Sequence, residues 1–436
     1  VELARHFPNV EFIWFFRTYY AKLLVNLLVI EVKTNNMKRQ ITKILNLPGV
    51  IVKSQKKLDK TLVLELENLA KTACCPNCQQ ISHRLHQNHS SLIKDLPWGE
   101  QEVFLRINRR QFKCNNCVKP FSEKLDFVEK RKKYTNRYAR FITEQVIKSD
   151  LLNVAINNNL TQAEVESMLE QVATQVLPIN LKGLKRLGID EISLVKGQGK
   201  FIVVLVDIDA GKLIGLVKDK KSKAIEETLN SWGEEILSKI EEVSLDLCKM
   251  YKITLEKLCP NAVITVDRFH VTKLLHSELN QGRIAQKKTA ESLKVKDRAK
   301  LFASFKGGKY VLLKRAEELK ESQKEKLLVM KDASPLIRVM HELKEEFTEI
   351  FDTSKDSGEG TIKLADWLRK ATPFFPKTVR TIKNWFGEIV GYFEGHTTNG
   401  VVEGINNRLK VLKRCAFGFK SFDNFEKRAL LHWHIN

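Results

Sequence analysis

Three acidic residues lie far apart in the chain and share surroundings that suit metal-binding carboxylates. Asp190 and Asp246 each follow a short apolar stretch, and Glu403 belongs to a helical segment near the C-terminus. Carboxylate oxygens are the ligands that Mg²⁺ and Mn²⁺ prefer, and a pair of such ions about 3.5–4 Å apart promotes in-line displacement at a phosphodiester. The three acids therefore predict a Mg²⁺ (or Mn²⁺) site for phosphoryl transfer. The alternative is that each is an ordinary solvated acid among the 52 in the chain.

A competing candidate for the second acid is Asp267, which also follows an apolar, β-branched stretch. Its segment, Asp267-Arg-Phe-His270, places a histidine three residues later. The order of the expected strands favours Asp246, whereas the distinctiveness of this segment favours Asp267. We therefore keep Asp246 with Asp190 and Glu403 as the catalytic set. Asp267 and His270 receive a supporting place beside it, and Asp267 stays the alternative second acid. His270 would position a phosphate, or simply form a hydrogen bond in the core.

Two closely spaced cysteine pairs, Cys75-x-x-Cys78 and Cys114-x-x-Cys117, form the second constellation. Four thiolates can surround one Zn²⁺ ion tetrahedrally at about 2.3 Å each, which leaves no position for water and makes the ion structural. Pairs of this kind in a long chain are typical of intracellular metal binding rather than of a disulfide framework. Cys74 is an alternative to Cys75, and the histidines between the pairs are not needed as ligands.

Basic residues strongly exceed acidic ones. Lysine and arginine number 74 against 52 aspartates and glutamates, which gives a formal charge of +22 and a pI near 9.5. Because cations that meet phosphates release condensed counterions, this excess favours a nucleic-acid partner over a merely basic surface. On the last helix, side chains three or four residues apart share a face with Glu403 and would grip a DNA backbone. The predicted DNA contacts are Asn407, Lys410, Lys413 and Arg414 on that helix, and Arg131, Lys132 and Lys133 in an earlier basic run.

Helical segments follow the earlier basic run and predict a helix-turn-helix. Residues 151–155 and 161–165 have helical character, and the polar residues 157–159 provide a turn between them. Thr161 can cap the second helix, with Glu164 three residues later closing a capping box. The alternative is an ordinary helical hairpin, and the basic neighbours favour the DNA-binding motif.

Apolar, β-branched stretches from Leu187 onward predict the order βββαβαβ. This order is that of a ribonuclease-H-like core, in which the first and fourth strands are neighbours and the last helix packs across them. The three acids would therefore converge despite their separation. After His270 the chain is long, lysine-rich and helical, which predicts an α-helical insertion. Strands are expected at 187–194, 201–208, 212–217, 242–247 and 262–266, helices at 222–240 and 249–258, and a Gly-rich turn at 196–199.

The predicted fold class is α+β and multidomain. An N-terminal zinc ribbon and a helix-turn-helix precede a ribonuclease-H-like catalytic core that carries a large α-helical insertion. Residues 1–36 are rich in aromatic residues and are interpreted as an extension upstream of Met37, with a genuine N-terminal element as the alternative. The longest apolar run is too short for a bilayer, which needs about 20 apolar residues. The predicted domains are 37–130 (zinc-binding), 131–180 (helix-turn-helix) and 181–436 (catalytic, with the insertion at about 275–395).

Three segments resemble the ISL-three family of bacterial insertion-sequence transposases, which are DDE enzymes. The likeness continues through residues 413–419, and the order of a zinc-binding region, a helix-turn-helix and a catalytic domain is similar too. The segments are Gly188-Ile-Asp-Glu191, Asn261-Ala-Val-Ile-Thr-Val-Asp-Arg-Phe-His270 and Thr398-Asn-Gly-Val-Val-Glu-Gly-Ile-Asn-Asn407.

This resemblance implies transposition through double-stranded DNA. The N-terminal modules would bind the element's terminal inverted repeats, and the metal site would cleave a strand and direct the freed 3′-hydroxyl at a target phosphodiester. A homo-oligomer on DNA is implied, in the bacterial cytoplasm with the nucleoid and with no membrane partner. Two other functions stay open. One is a non-catalytic zinc-ribbon and helix-turn-helix regulator, and the other is a ribonuclease-H-like nuclease that cleaves without joining.

Overall fold

The computed structural model describes residues 36–177, 179–193, 201–289, 299, 302–395, 400–419 and 421–435. The chain divides into two compact units, Val1–Gln175 and Val176–Asn436. The extension at 1–35, the Gly-rich turn at 196–199 and the first two residues of the Thr398 segment lie outside the described residues. None of the described helices combines the length and the apolar composition that a membrane span requires.

Seven strands lie in the described part of the first unit. They are β1 (Val50–Leu58), β2 (Thr61–Asn68), β3 (Ala73–Cys74), β4 (Ile81–Ser82), β5 (Leu85–Trp98), β6 (Gln101–Lys113) and β7 (Pro120–Ser122). Five of them form one sheet in the order β1-β2-β6-β5, with β7 also paired to β6. Only β2 and β6 pair in parallel within it. The short strands β3 and β4 form a separate antiparallel pair beside the first cysteine turn.

Helices precede and follow this sheet. They are α1 (residues 36–45), α2 (Asn136–Lys148), α3 (Leu151–Asn157) and α4 (Gln162–Val176). The capping box predicted at the start of α4 is confirmed. The N–H of Thr161 donates to Glu164 Oε2 at 2.8 Å, and the N–H of Glu164 donates to Thr161 Oγ1 at 3.2 Å.

A buried ion pair fixes the start of α2 on β5. Asp95 is 1% exposed and accepts hydrogen bonds from Thr135 Oγ1 at 2.7 Å and Arg137 Nε at 2.8 Å. Thr135 also caps α2 by accepting from the N–H of Tyr138 at 3.2 Å. A buried carboxylate without partners would cost several kcal/mol, so these bonds hold the first turn of the helix against the strand.

Five strands form the sheet in the described part of the second unit. They are β8 (Arg186–Ser193), β9 (Phe201–Asp207), β10 (Lys212–Val217), β11 (Glu242–Leu245) and β12 (Val263–Val266). The spatial order is β10-β9-β8-β11-β12. The first three strands form an antiparallel meander, and β11 and β12 run parallel to β8.

Helices α5 (Ser222–Asn230), α6 (Glu234–Leu237) and α7 (Lys249–Leu258) connect the later strands. The order of elements agrees with the predicted βββαβαβ pattern except in one place. The single helix predicted over residues 222–240 is wrong, because two helices separated by a turn occupy that stretch. Gly233 adopts φ 88° there, a left-handed conformation that breaks helical hydrogen bonding and that glycine tolerates best.

Helices also fill the long stretch after β12, and its described residues contain no strand. Within it, the buried carboxylate of Glu278 accepts from the N–H groups of Lys377 at 3.0 Å and Thr378 at 2.7 Å, which joins α8 to the start of α14. The helices are α8 (Arg268–Thr289), α9 (residues 302–305), α10 (Lys309–Leu313), α11 (Glu321–Ala333), α12 (Pro335–Thr353), α13 (Ser357–Ala371), α14 (Pro376–Asn384), α15 (Phe386–Val390) and α16 (Tyr392–Gly395).

The last two helices, α17 (Gly400–Cys415) and α18 (Phe422–His434), pack on the meander. A Cβ atom added at Gly188 of β8 would lie 2.6 Å from Val402 Cγ2 and 3.2 Å from Ile208 Cγ1. The absence of a side chain at Gly188 therefore lets the first turn of α17 lie directly against β8.

We expect Gly188→Ala to destabilise the protein, because its methyl group would overlap Val402. Overpacking of a close-packed core costs about 1–3 kcal/mol, so the midpoint of urea unfolding should fall. Gly183→Ala is the matched control, since nothing lies within 4 Å of its added Cβ atom. Equal midpoints for the two variants would contradict close packing of α17 on β8.

Candidate active site and zinc centre

Three aspartates lie side by side at one edge of the second sheet. Asp190 lies in β8, Asp246 directly follows β11 and Asp267 directly follows β12. Because Ser244 pairs with Gly188 in the parallel register, Asp246 is level with Asp190. The carboxyl ends of parallel strands share one edge of a sheet, which is where α/β proteins commonly place their ligand sites.

His270 lies between the second and third aspartates. Its Nδ1 atom is 3.1 Å from Asp246 Oδ1 and 3.6 Å from Asp267 Oδ2. The carboxylate of Asp267 also accepts from the N–H of Phe269 at 3.1 Å, which fixes the first turn of α8. The structure thus places both candidates for the second acid within 3.6 Å of the histidine predicted beside them.

Burial and mutual repulsion disfavour negative charge in this row. Burial, followed by the charge of Asp190, raises the pKa of Asp246 to about 7. Burial likewise raises the pKa of Asp190. The nearby carboxylate of Asp267, together with the charges of Asp246 and Asp190, raises the pKa of His270. Crowded, half-buried carboxylates of this kind are stabilised in their charged form by a bound cation.

A free carboxylate oxygen is present where such a cation would bind. The Oδ1 atom of Asp246 is buried and has no hydrogen-bond partner among the described residues, since the nearby imidazole is not aligned for one. Oxygen ligands with unused lone pairs suit a hard divalent ion such as Mg²⁺. The donor set of the row therefore fits the predicted Mg²⁺ or Mn²⁺.

Helix α17 brings two side chains toward the row. Asn406 is 4% exposed, and its Nδ2 donates to Asp190 Oδ2. Glu403 is exposed and lines a cavity of about 280 Å³ together with Asp267 and Arg268. The Glu403 carboxylate does not lie within 4.8 Å of the aspartate carboxylates as part of a metal-ligating group. Within the described ranges, the four cysteines are the one group of three or more metal-ligating side chains whose ligand atoms all lie that close together.

Sequence reasoning missed Asn406 and selected its neighbour Asn407. A signal for it was present in the helical pattern. Asn406 lies three residues after Glu403, and it is a polar residue on the stripe that buries Val402 and Leu409. A polar residue on the buried face of an amphipathic helix needs a polar partner, and Asp190 provides one.

The predicted DNA contacts of α17 differ in exposure. Asn407, Lys410 and Arg414 are exposed. Lys413 is only half-exposed, its Nζ donates to the carbonyl of Ser193, and burial lowers its pKa. Its ammonium group therefore ties α17 to the end of β8.

The predicted basic run lies in the first unit. Arg131 and Lys133 are exposed, whereas Lys132 donates through Nζ to Ser167 Oγ at 2.6 Å. The Lys132 ammonium group also lies 5.7 Å from the centre of the Tyr134 ring. The run thus presents two exposed cationic side chains, and a third that is hydrogen-bonded to α4.

The four predicted zinc ligands meet in the first unit. The sulfur atoms of Cys75, Cys78, Cys114 and Cys117 lie within 4.8 Å of one another. Cys75 and Cys117 are 4.0 Å apart, and Cys78 and Cys114 are 3.5 Å apart. A tetrahedral Zn²⁺ with bonds of about 2.3 Å needs sulfur atoms about 3.8 Å apart. The cluster therefore fits a structural zinc ion with no open position.

Each cysteine pair lies in a tight turn of the same kind. The residue after the second cysteine is left-handed in both, with φ 62° at Gln79 and φ 56° at Val118. Cys74 lies outside the cluster, because it is exposed and its Sγ points to the carbonyl of Gln79 at 3.1 Å. The geometry thus selects Cys75 over Cys74.

Comparison with known proteins assigns the class of protein that these features define. A DDE-type transposase model of the ISL3 (ISL-three) family matches residues 187–429. A second model, described as the zinc-finger of transposase IS204/IS1001/IS1096/IS1165, matches residues 71–117. The chain is therefore a transposase by class, and it belongs to the ISL3 family. The resemblance found in the sequence is confirmed.

Individual relatives agree with the family. The transposase for insertion sequence element IS1001 of Bordetella parapertussis is 24% identical over 384 residues, which cover 84% of this chain and 90% of the relative. Transposases for insertion sequence element IS1557 from two strains of Mycobacterium tuberculosis are 26% identical over 259 residues, which cover 55% of this chain and 57% of the relatives.

We expect Cys114→Ala to release zinc and unfold the cysteine-bearing part of the first unit. Structural zinc in small peptides contributes about 10–16 kcal/mol, so losing one ligand leaves little ordered structure there. Zinc per chain, measured by atomic emission, should be one in the wild type and near zero in the variant. Cys74→Ala is the control and should keep its zinc. Loss of zinc from Cys74→Ala with retention in Cys114→Ala would overturn the assignment.

Proposed function

We propose that this chain transposes its own insertion sequence. It binds the terminal inverted repeats, cleaves DNA strands and joins the freed 3′-hydroxyl to a target phosphodiester. The observation that carries the proposal is the row of Asp190, Asp246 and Asp267 at one sheet edge, with the glutamate-bearing helix α17 packed directly on the strand that holds Asp190.

The second unit is interpreted as a ribonuclease-H-like catalytic domain that begins near residue 181. Its antiparallel meander continued by two parallel strands supports this interpretation. The stretch at about 275–395 is then the α-helical insertion. In this arrangement the catalytic acids are Asp190, Asp246 and Glu403, because β11, and not β12, is the direct neighbour of β8.

Asp190, Asp246 and Glu403 would hold Mg²⁺ or Mn²⁺. When bound, the ions lower the pKa of an attacking water or hydroxyl group and offset charge on the phosphoryl oxygens. Asn406 orients Asp190 by donating to one of its oxygens, as outer partners of metal ligands commonly do. His270 stands between Asp246 and Asp267, where its proton offsets the repulsion between the two carboxylates.

The first unit would recognise the element's ends as double-stranded DNA. The zinc ribbon occupies the predicted domain at 37–130, and α3 and α4 form the helix-turn-helix of the domain at 131–180. In a motif of this kind the second helix enters the major groove, which makes α4 the reading helix. Transposition needs two ends held together, so the working form is a homo-oligomer on DNA.

A cleavage and joining assay tests this function. Purified protein, Mg²⁺, a duplex carrying the element's own end and a supercoiled target plasmid should yield nicked ends and joined products. Asp190→Asn, Asp246→Asn and Glu403→Gln should each lower the cleavage rate about 1000-fold, since several kcal/mol of charge stabilisation are lost. Asp267→Asn, as an outer partner, should lower it only about 10- to 100-fold.

Glu394→Gln is the control for these variants, because Glu394 is an exposed acid of the same unit outside the row. If Asp267→Asn is the more damaging change and Asp246→Asn the milder one, Asp267 is the second acid. Cleavage without joined products would favour a nuclease. Unchanged cleavage in Glu403→Gln would favour a non-catalytic regulator, because the nicks would then come from a contaminating nuclease.

A further inference from the structure

A basic cleft in the first unit has the charge and size to receive phosphate groups. The cleft has a volume of about 620 Å³ and lies between strands β5 and β6 on one side and the α3–α4 turn on the other. Its described lining includes one carboxylate, Glu164. The cations that line it are Lys94, Arg109, Arg131, Lys132 and Lys133.

Among these cations, Arg109 of β6 has a guanidinium group whose donors are only partly used. Its Nη2 donates to the carbonyl of Lys132 at 2.6 Å, while its Nε is buried without a hydrogen-bond partner in the described part of the chain. The next residue, Arg110, differs, because its Nε lies 3.1 Å and 3.0 Å from the two carboxylate oxygens of Glu123. A partly buried guanidinium with an unused donor is costly unless an anion joins it.

The charge of the cleft is not balanced by its own acids. Lys94 is paired with Glu102 at 2.7 Å. Lys132 donates to a neutral hydroxyl, that of Ser167. Glu164 already accepts from the N–H of Thr161 at 2.8 Å in the capping box of α4. Among the described residues, the positive charges of Arg109, Arg131 and Lys133 are therefore left for an outside partner.

The turn that carries the basic run is itself strained. Arg131 adopts φ 65°, a left-handed conformation that costs a residue with a β-carbon about 1–2 kcal/mol. Its side chain and that of Lys133 are exposed at the cleft. Strain at a residue that presents charge to a cavity is a common sign of a binding site.

We propose that this cleft binds a backbone phosphate of duplex DNA, with the Arg109 guanidinium as its anchor. The proposal rests on the proposed function and deepens it, since strands of the zinc-binding region and the helix-turn-helix then hold one phosphodiester jointly. The planar guanidinium matches the two free oxygens of a phosphodiester. Such a contact sets the position of the duplex without reading its sequence.

The salt dependence of DNA binding tests the site. We would measure the Kd by fluorescence anisotropy over a series of salt concentrations, using an end duplex and a random duplex of equal length. Arg109→Gln should weaken binding to both duplexes about 10- to 100-fold, as expected for losing a charged hydrogen bond. The slope of log K against log salt should fall by about one, which corresponds to one lost phosphate contact.

Arg106→Gln is the matched control. Arg106 lies three residues earlier on the same strand, is not among the residues that line the cleft, and pairs with Glu65 at 3.3 Å. It should leave the slope unchanged. Arg109→Lys keeps the positive charge but loses the planar pair of guanidinium donors. It should therefore bind DNA with intermediate affinity and keep most of the slope of log K against log salt. Zinc content and the melting temperature report whether each variant is folded.

Each outcome has a distinct meaning. A wild-type slope and affinity in Arg109→Gln would overturn the cleft while leaving the proposed function intact. A wild-type protein that binds neither duplex would overturn the proposed function and the cleft with it. A melting temperature raised by inorganic phosphate in the wild type but not in Arg109→Gln, with unchanged DNA binding, would assign the cleft to free phosphate and overturn the DNA proposal.

Discussion

The parallel register of β8, β11 and β12 is the constraint on which the candidate site depends. It places Asp190, Asp246 and Asp267 level with one another although they are distant in sequence. The same row concentrates three half-buried carboxylates, and burial with mutual repulsion raises the pKa of Asp246 to about 7. Carboxylates whose negative charge is disfavoured in this way would destabilise a purely structural sheet, whereas they suit a sheet that binds cations. The close packing of α17 at Gly188 then brings the glutamate-bearing helix to the same edge.

The helical stretch after β12 supports this edge as well. Arg268 directly follows Asp267, and its Nη1 donates to Asp352 of α12 at 2.8 Å. Arg315 lies 2.7 Å from the other oxygen of the same carboxylate. One acid of α12 therefore holds the first turn of α8, the turn that carries His270. The helices after β12 separate Asp267 from Glu403 in sequence, yet α12 contacts the segment that directly follows the acid row.

Much of this arrangement could be predicted from the sequence, because strong local patterns carried it. Strand β10, the capping box at Thr161 and the two cysteine turns follow from a continuous apolar stretch, cap chemistry and spacing, respectively. What could not be predicted depends on tertiary packing. The choice between Cys74 and Cys75 depends on which sulfur points inward, and the role of Asn406 depends on which residue of α17 faces Asp190. The break at Gly233 depends on a single left-handed glycine, which helical periodicity does not reveal.

We propose that Asp190 and Asp246 share a divalent cation. Anomalous diffraction from crystals of the full chain soaked in Mn²⁺, with an end duplex bound, tests it most directly. A shared cation predicts a manganese peak within bonding distance of carboxylate oxygens of both Asp190 and Asp246, and the loss of that peak in Asp246→Asn. A peak held instead by Asp267 and His270, with none at Asp190, would contradict it.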